Sequence, residues 1–128
     1  MKKEVIIPKD GAPAAGPYSA AIKVGNFMFI SGQGPFNPET NRIDDPENVK
    51  SQTKICMENI GRLLDAAGIG YENIVKTTVF LKNIKDFNKM NRVYRKFFKS
   101  EPPARSCVEV AKLPFDILVE IEAIAFIP

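Results

Sequence analysis

Arg105-Ser106-Cys107-Val108-Glu109-Val110-Ala111, then Lys112-Leu113-Pro114-Phe115-Asp116, then Ile117-Leu118-Val119-Glu120-Ile121-Glu122-Ala123-Ile124-Ala125-Phe126 reads as two strands flanking a turn. Alternate residues of a strand share a face. Ser106, Val108 and Val110 share one, and Ile117, Val119, Ile121, Ala123 and Ala125 share another. Both sets are expected to pack on a core. Pairing the strands as an antiparallel hairpin, with Ala111 against Asp116, sets Cys107 opposite Glu120. Arg105 then falls opposite Glu122 and diagonal to Glu120. Opposed side chains touch, and long ones reach the diagonal. Arg105, Cys107 and Glu120 are therefore expected to cluster on the face that also carries Leu118, Ile124 and Phe126.

Upstream, residues 84–98 predict a helix. Asn83 with Asp86 three residues on resembles a capping box, and Phe87, Met90, Tyr94, Phe97 and Phe98 form its buried stripe. Residues 74–81 are rich in β-branched side chains and predict a strand, with Val75, Thr77, Val79 and Leu81 on one face. A first helix starts near Asp45, a capping residue, with Pro46 at its first position. Val49, Thr53, Cys56, Ile60, Leu63, Leu64 and Ala67 line one face of it, and Gly68 stops it. Nearer the start, residues 5–7, 18–24 and 27–31 are β-prone. The last two are separated by Gly25-Asn26, a hairpin signal. Residues 11–17 and 32–43 are turn-rich loops. The order is β-β-β-α-β-α-β-β. Two amphipathic helices require one face of one sheet, so the expected fold is a single two-layer α+β domain over residues 1–128.

The chain has 128 residues, 45% hydrophobic and 26% charged, the profile of a soluble globular domain. It contains no histidine, which excludes a His-based triad, a His metal site and a His proton shuttle within the chain. The two cysteines, Cys56 and Cys107, form no C-x-x-C, so neither a zinc knuckle nor a disulfide framework is expected. The net charge of +3 is too small to require a nucleic-acid partner. No signal peptide fits residues 1–8, and no apolar run approaches the roughly 20 residues that span a bilayer. A cytoplasmic address and no membrane partner are the expectation.

Each candidate residue has a plain reading and a sharper one. Arg105 and the glutamates can be a cross-strand salt bridge on a solvated face. With Leu118, Ile124 and Phe126 beside them they can instead edge a pocket at a subunit interface, where Arg105 forks onto a carboxylate and Glu120 activates water. Ser31-Gly32-Gln33-Gly34 fails the dinucleotide fingerprint. It is either a tight loop or a backbone cradle for an anion. Asn91, at the edge of the second helix's stripe, caps a loop or lines a pocket. Tyr18 reads as half-buried with its hydroxyl at a rim. Lys85, Lys89, Arg92, Lys96 and Lys99 make a basic stripe better read as a solvated helix face than as an RNA surface. Cys56 reads as packing. Cys107 gains interest from Arg105, although an adjacent Glu120 would oppose its thiolate.

Residues 103–114 (Pro-Ala-Arg-Ser-Cys-Val-Glu-Val-Ala-Lys-Leu-Pro) followed by 119–125 (Val-Glu-Ile-Glu-Ala-Ile-Ala) closely resemble the signature of the reactive intermediate deaminase, or Rid/YjgF, family. Residues 12–19, 30–33, 75–81 and 91–94 match its other blocks in order. The resemblance implies a chorismate-mutase-like α+β domain with a mixed sheet, two helices on one face, and assembly as a homotrimer with sites between subunits. It implies hydrolysis of enamines and imines such as 2-aminoacrylate and 2-iminopropanoate to 2-keto acids and ammonia, without metal or organic cofactor. The family's carboxylate-binding arginine falls on Arg105 and its water-activating glutamate on Glu120. Its other pocket positions fall on Tyr18, Ser31, Gly32, Asn91 and Cys107. This sequence departs from the family pattern at Gly34, at 40–42 (Thr-Asn-Arg) and at Phe115, which bears on substrate range. The alternatives are a trimeric binding module for small 2-keto acids and a ribonuclease or translation inhibitor. The missing histidine and modest charge weigh against the latter.

Overall fold

Val24 pairs with Phe27 across Gly25-Asn26, and Gly25 sits at φ 59°, the left-handed backbone that such a turn requires and glycine tolerates. The expected hairpin therefore forms, between β2 (Ala21–Val24) and β3 (Phe27–Gln33). The computed structural model describes residues 2–10 and 14–128. Within them β1 (Glu4–Ile6) pairs with β2. There follow α1 (Val49–Ala66), β4 (Ile74–Leu81), α2 (Phe87–Tyr94), β5 (Ala104–Glu109) and β6 (Val119–Phe126), the order expected. The loop expected over 11–17 lies partly outside the described residues. Tyr18 precedes β2 rather than opening it.

α1 starts three residues later than expected. Asn48, not Asp45, is its cap: the Asn48 side chain accepts from the Ser51 N–H at 3.0 Å. Asp45 instead accepts from the Ser51 hydroxyl at 2.5 Å and, through its carbonyl, from Gln52 at 2.9 Å. Gly68 ends the helix as expected. At φ 74° it lets its own N–H reach the Asp65 carbonyl and the Ile69 N–H reach that of Leu64, both at 3.0 Å. Cys56, Ile60, Leu63 and Leu64 are buried against the sheet. A fully buried side chain of the larger aliphatic kind contributes about 1.5–3 kcal/mol. The second helical segment is α-helical only over Phe87–Tyr94, with a tighter turn at each end. Asn83 caps its start by accepting from the Lys85 N–H at 2.9 Å.

The sheet runs β1-β2-β3-β6-β4-β5. The expected β5–β6 hairpin does not form. β5 pairs in parallel with β4, joined through α2, because parallel neighbours need a crossover. β6 passes into the slot between β3 and β4 and is antiparallel to both. The connecting stretch 110–118 crosses the end of β4, tied by Val110 N–H to the Leu81 carbonyl (3.0 Å) and Lys82 N–H to that of Leu118 (2.9 Å). Side-chain alternation defines each strand's faces but not its neighbour, so the two strands were recognisable and their pairing was not.

The changed partner also reverses β5. Arg105 is level with Thr77 and Cys107 with Val79. Thr77 and Val79 are buried, and Thr77 shares a 2.7 Å hydrogen bond with the Tyr94 hydroxyl of α2. Arg105 and Cys107 therefore face the helices. Ser106 is on the open side, where it accepts from Lys76 Nζ at 2.9 Å. β6 keeps its expected faces, with Val119, Ile121, Ala123 and Ala125 buried. Leu118, expected on the open side, packs at the core's margin. Val75 is exposed rather than buried with Thr77, because the register against β6 slips between Ile74 and Lys76, and the bulge turns Ile74 inward in its place. No helix among the described residues is long and apolar enough to cross a membrane.

Candidate active site

Arg105 stands on β5, the edge strand, and reaches over α2. Its Nη1 donates to Asn91 Oδ1 at 2.7 Å. Its guanidinium lies 4.9 Å from the Tyr94 ring centre and 5.5 Å from that of Phe87. Phe87, Asn91 and Tyr94 meet it together because residues three and four apart share a helix face. Burial holds the Tyr94 hydroxyl above its ordinary pKa, against the opposing pull of its Thr77 bond and of Arg105. Tyr94 is thus a neutral platform, fixed from behind by Thr77. Among the described residues no carboxylate lies within salt-bridge distance of Arg105. A half-buried guanidinium with one amide acceptor and two aromatic neighbours keeps donors for an incoming anion. Asn91 thus meets Arg105 through its side-chain oxygen, on the helix face that also carries the two rings.

Cys107, two residues along on the same face, is half-buried. Burial pushes its thiol up, and the Arg105 charge pulls it only partly back. Glu120 does not adjoin Cys107; its charge is felt instead at the buried Cys56, whose thiol is raised first by burial and then by Glu120.

Glu120 belongs to a second cluster. β3 carries one extra residue against β6 between Ile30 and Gln33, a bulge that displaces Ser31 and Gly32. The Ser31 hydroxyl donates to the Ser19 carbonyl at 2.7 Å, which ties the chain after Tyr18 to β3. Gly32 lies against Glu120 so closely that a Cβ there would strike its carboxylate. Burial raises the Glu120 pKa, and the Glu122 charge raises it further. Tyr18, Gly32 and Glu120 share the wall of a cavity of about 420 Å³. Tyr18 is half-exposed at its rim, its hydroxyl accepting from the Ala15 N–H at 3.3 Å.

The expected single cluster is therefore two. Arg105, Asn91 and Cys107 gather on the helix side at the sheet's edge, while Tyr18, Ser31, Gly32 and Glu120 gather around β3 and β6. Glu120 is level with Phe80 across β4, not with Cys107. The intervening β4 and the reversal of β5 separate the two sets. The aromatic platform under Arg105 was not singled out from sequence, although Phe87 and Tyr94 flank Asn91 at helical spacing. Among the described residues no group of three or more Cys, Asp or Glu is placed to hold a metal ion.

Fold and candidate residues together define a class: two-layer α+β domains with two helices on a mixed six-stranded sheet and polar pocket residues at its rim. The family described as Endoribonuclease L-PSP matches residues 9–127, and the chain belongs to it, the Rid/YjgF family. A RutC family protein of Pyrococcus abyssi is 50% identical over 98% of both chains. Reactive Intermediate Deaminase A of Arabidopsis thaliana is 42% identical, covering 98% of this chain and 66% of that protein. Among solved structures, Escherichia coli TdcF with bound serine superposes with a TM-score of 0.92 at 39% identity, covering 98% and 99% of the two chains.

Proposed function

We propose that this protein hydrolyses reactive 2-imino acids, taking R–C(=NH)–COO⁻ and water to R–CO–COO⁻ and ammonia, with 2-iminopropanoate and its enamine tautomer 2-aminoacrylate as the simplest substrates. The observation that carries this is Arg105, a guanidinium bonded to Asn91, stacked on Tyr94 and, among the described residues, without a carboxylate partner. It is suited to a substrate carboxylate. The likeness to Reactive Intermediate Deaminase A supports the reaction, and the likeness to TdcF with bound serine supports a ligand of amino-acid size. Tyr18, Ser31, Gly32 and Cys107 would complete the pocket.

The imine carbon is already electrophilic, so orientation and a positioned water suffice. Glu120 takes a proton from water as the water oxygen bonds to the carbon, the C=N electron pair moves to nitrogen, and Glu120 passes that proton to the nitrogen. Glu120 then takes the proton of the new hydroxyl as the C=O forms, and gives it to the nitrogen as the C–N bond breaks and ammonia leaves. A raised carboxyl pKa suits a group that both takes and gives.

Arg105 and Glu120 lie on opposite sides of one sheet, so the reading requires a second copy of the chain to bring an arginine edge to a glutamate pocket. Phe27, Phe29 and Phe126 stand together on the open face, each at least 40% exposed, a costly patch on a lone chain. The assembly proposed is a homotrimer with its sites between subunits. Light scattering is expected to give three chain masses; a mass near one 14.2 kDa chain would overturn it. The reaction is tested by generating 2-aminoacrylate with a dehydratase and following pyruvate release. Addition of the protein is expected to speed release, and an unchanged rate rejects the proposal.

The description of the family as an endoribonuclease raises RNA as a rival substrate. Lys85, Lys89, Arg92, Lys96 and Lys99 are all exposed. RNA binding by such a stripe is expected to be weak and to collapse with added salt. Tight binding at physiological salt, abolished by Lys89→Glu with Arg92→Glu, would favour the ribonuclease.

A further inference from the structure

The cavity that holds Glu120 extends well past it, to a wall the hydrolytic step does not use. Gly34 follows the β3 bulge. A Cβ there would lie 2.8 Å from Cε2 of Phe36 and 3.4 Å from Cδ1 of Ile117. The missing side chain is what lets the Phe36 ring lie across this strand end. Phe115 meets that ring edge to face, with centres 5.3 Å apart and planes at 88°. Phe36, Phe115, Leu63, Ile117 and Pro114 all line the cavity.

Phe115 is unusual in two ways. Its backbone is left-handed at φ 61°, a conformation unfavourable for a residue with a Cβ. Its side chain is also 66% exposed, so burial does not offset that cost. Strain held at a pocket mouth is a pointer to function. Of the polar groups on the same wall, Asn59 donates through Nδ2 to the carbonyls of Gly34 and Phe36, both at 3.0 Å. Arg62 gives one bond, to the Glu58 carbonyl at 3.3 Å, and keeps its other donors. With the five apolar residues named, the part of the cavity beyond Glu120 offers mainly apolar surface. Its volume of about 420 Å³ is within the usual range of about 300–1,000 Å³ for organic ligands.

We infer that Phe36 and Phe115, made possible by Gly34, wall a specificity pocket for the side chain of the substrate, and that this pocket selects 2-imino and 2-oxo acids with a bulky apolar side chain of the leucine type over those carrying a methyl group. The ligand's headgroup rests on the imine-deaminase reading; the selectivity rests on the pocket alone. A hydrophobic pocket discriminates by about 10–200-fold per methylene gained or lost.

The test is binding of 4-methyl-2-oxopentanoate and of pyruvate to the full-length protein by titration calorimetry, which needs no turnover. The wild type is expected to bind the branched acid more than tenfold tighter. Phe115→Ala is expected to cut that ratio about tenfold, and Phe115→Leu to keep most of it. Gly34→Ala, which drives Phe36 from its seat, is expected to lower the ratio independently, with circular dichroism reporting that the fold is kept. Equal affinities in the wild type, a preference for pyruvate or for 2-oxoglutarate, no binding of either test acid, or a ratio unmoved by Phe115→Ala would each overturn the inference. If the ratios behave as stated and no imine is hydrolysed, the hydrolase reading fails and the pocket stands.

Discussion

Arg105→Lys is expected to lose roughly a hundredfold or more in kcat/KM for 2-aminoacrylate hydrolysis while the assembly persists, since misplacing a bound substrate by about 1 Å can cost about that much. The substitution keeps the charge and removes the plane. A guanidinium can donate to Asn91 on one edge, rest on the rings of Tyr94 and Phe87, and still present a fork to a carboxylate. An ammonium has three donors and no flat face. The lysine variant is therefore expected to hold its substrate loosely and in several poses. Steady-state kinetics with light scattering on the same sample checks this. Near-normal activity would make Arg105 a structural residue.

Glu120→Gln is expected to lower the hydrolysis rate by about 10²–10⁴-fold, the usual worth of general acid–base help, with 2-keto acid affinity unchanged or slightly improved. Glutamine keeps the size and removes the base. It also removes a negative charge from beside a ligand that is itself an anion. A pure binding module gains nothing from that charge. The pH profile gives a second reading. Burial, and then Glu122, hold the Glu120 pKa above the ordinary carboxylate value. A base in the proposed role works only when ionised, so activity is expected to fall as pH drops through that raised pKa, at a higher pH than an ordinary glutamate would give. The acid limb is expected to vanish in the glutamine variant. A variant that keeps its turnover and loses ligand would assign Glu120 to binding alone.

The elements of this fold were legible because each is marked locally. Gly25-Asn26 announces a turn, Gly68 a helix end, and the alternation from Val119 to Ala125 a half-buried strand. The neighbours of β5 and β6 were not legible, because nothing in residues 105–126 says whether β5 closes on β6 or on β4. That one ambiguity carried into the site. The hairpin placed Arg105 beside Glu120, whereas the parallel pairing of Arg105 with Thr77 turns it to the helices, where Asn91 and Tyr94 receive it. Val75 shows the same limit on a smaller scale, since a bulge has no signature in a run of β-branched residues. At Gly34 and Phe115 the reverse held. Both were visible as departures from the family pattern, but only the structure brings Phe36 between them.

The last strand in chain order, β6, occupies a central slot in the sheet. Until it arrives, β1, β2 and β3 form one fragment and β4 and β5 another, with no hydrogen-bonded ladder between them. Each fragment exposes an unpaired inner edge, the kind of edge that recruits strands from other chains. Closure must bring residues far apart in sequence together, so its entropic cost falls due before the contacts that repay it. During synthesis the sheet can be completed only after residues 119–126 have been made and released. Newly made chains are then most exposed to mispairing in that interval, and a frameshift or premature stop that removes β6 alone would leave two half-sheets rather than a slightly shortened protein.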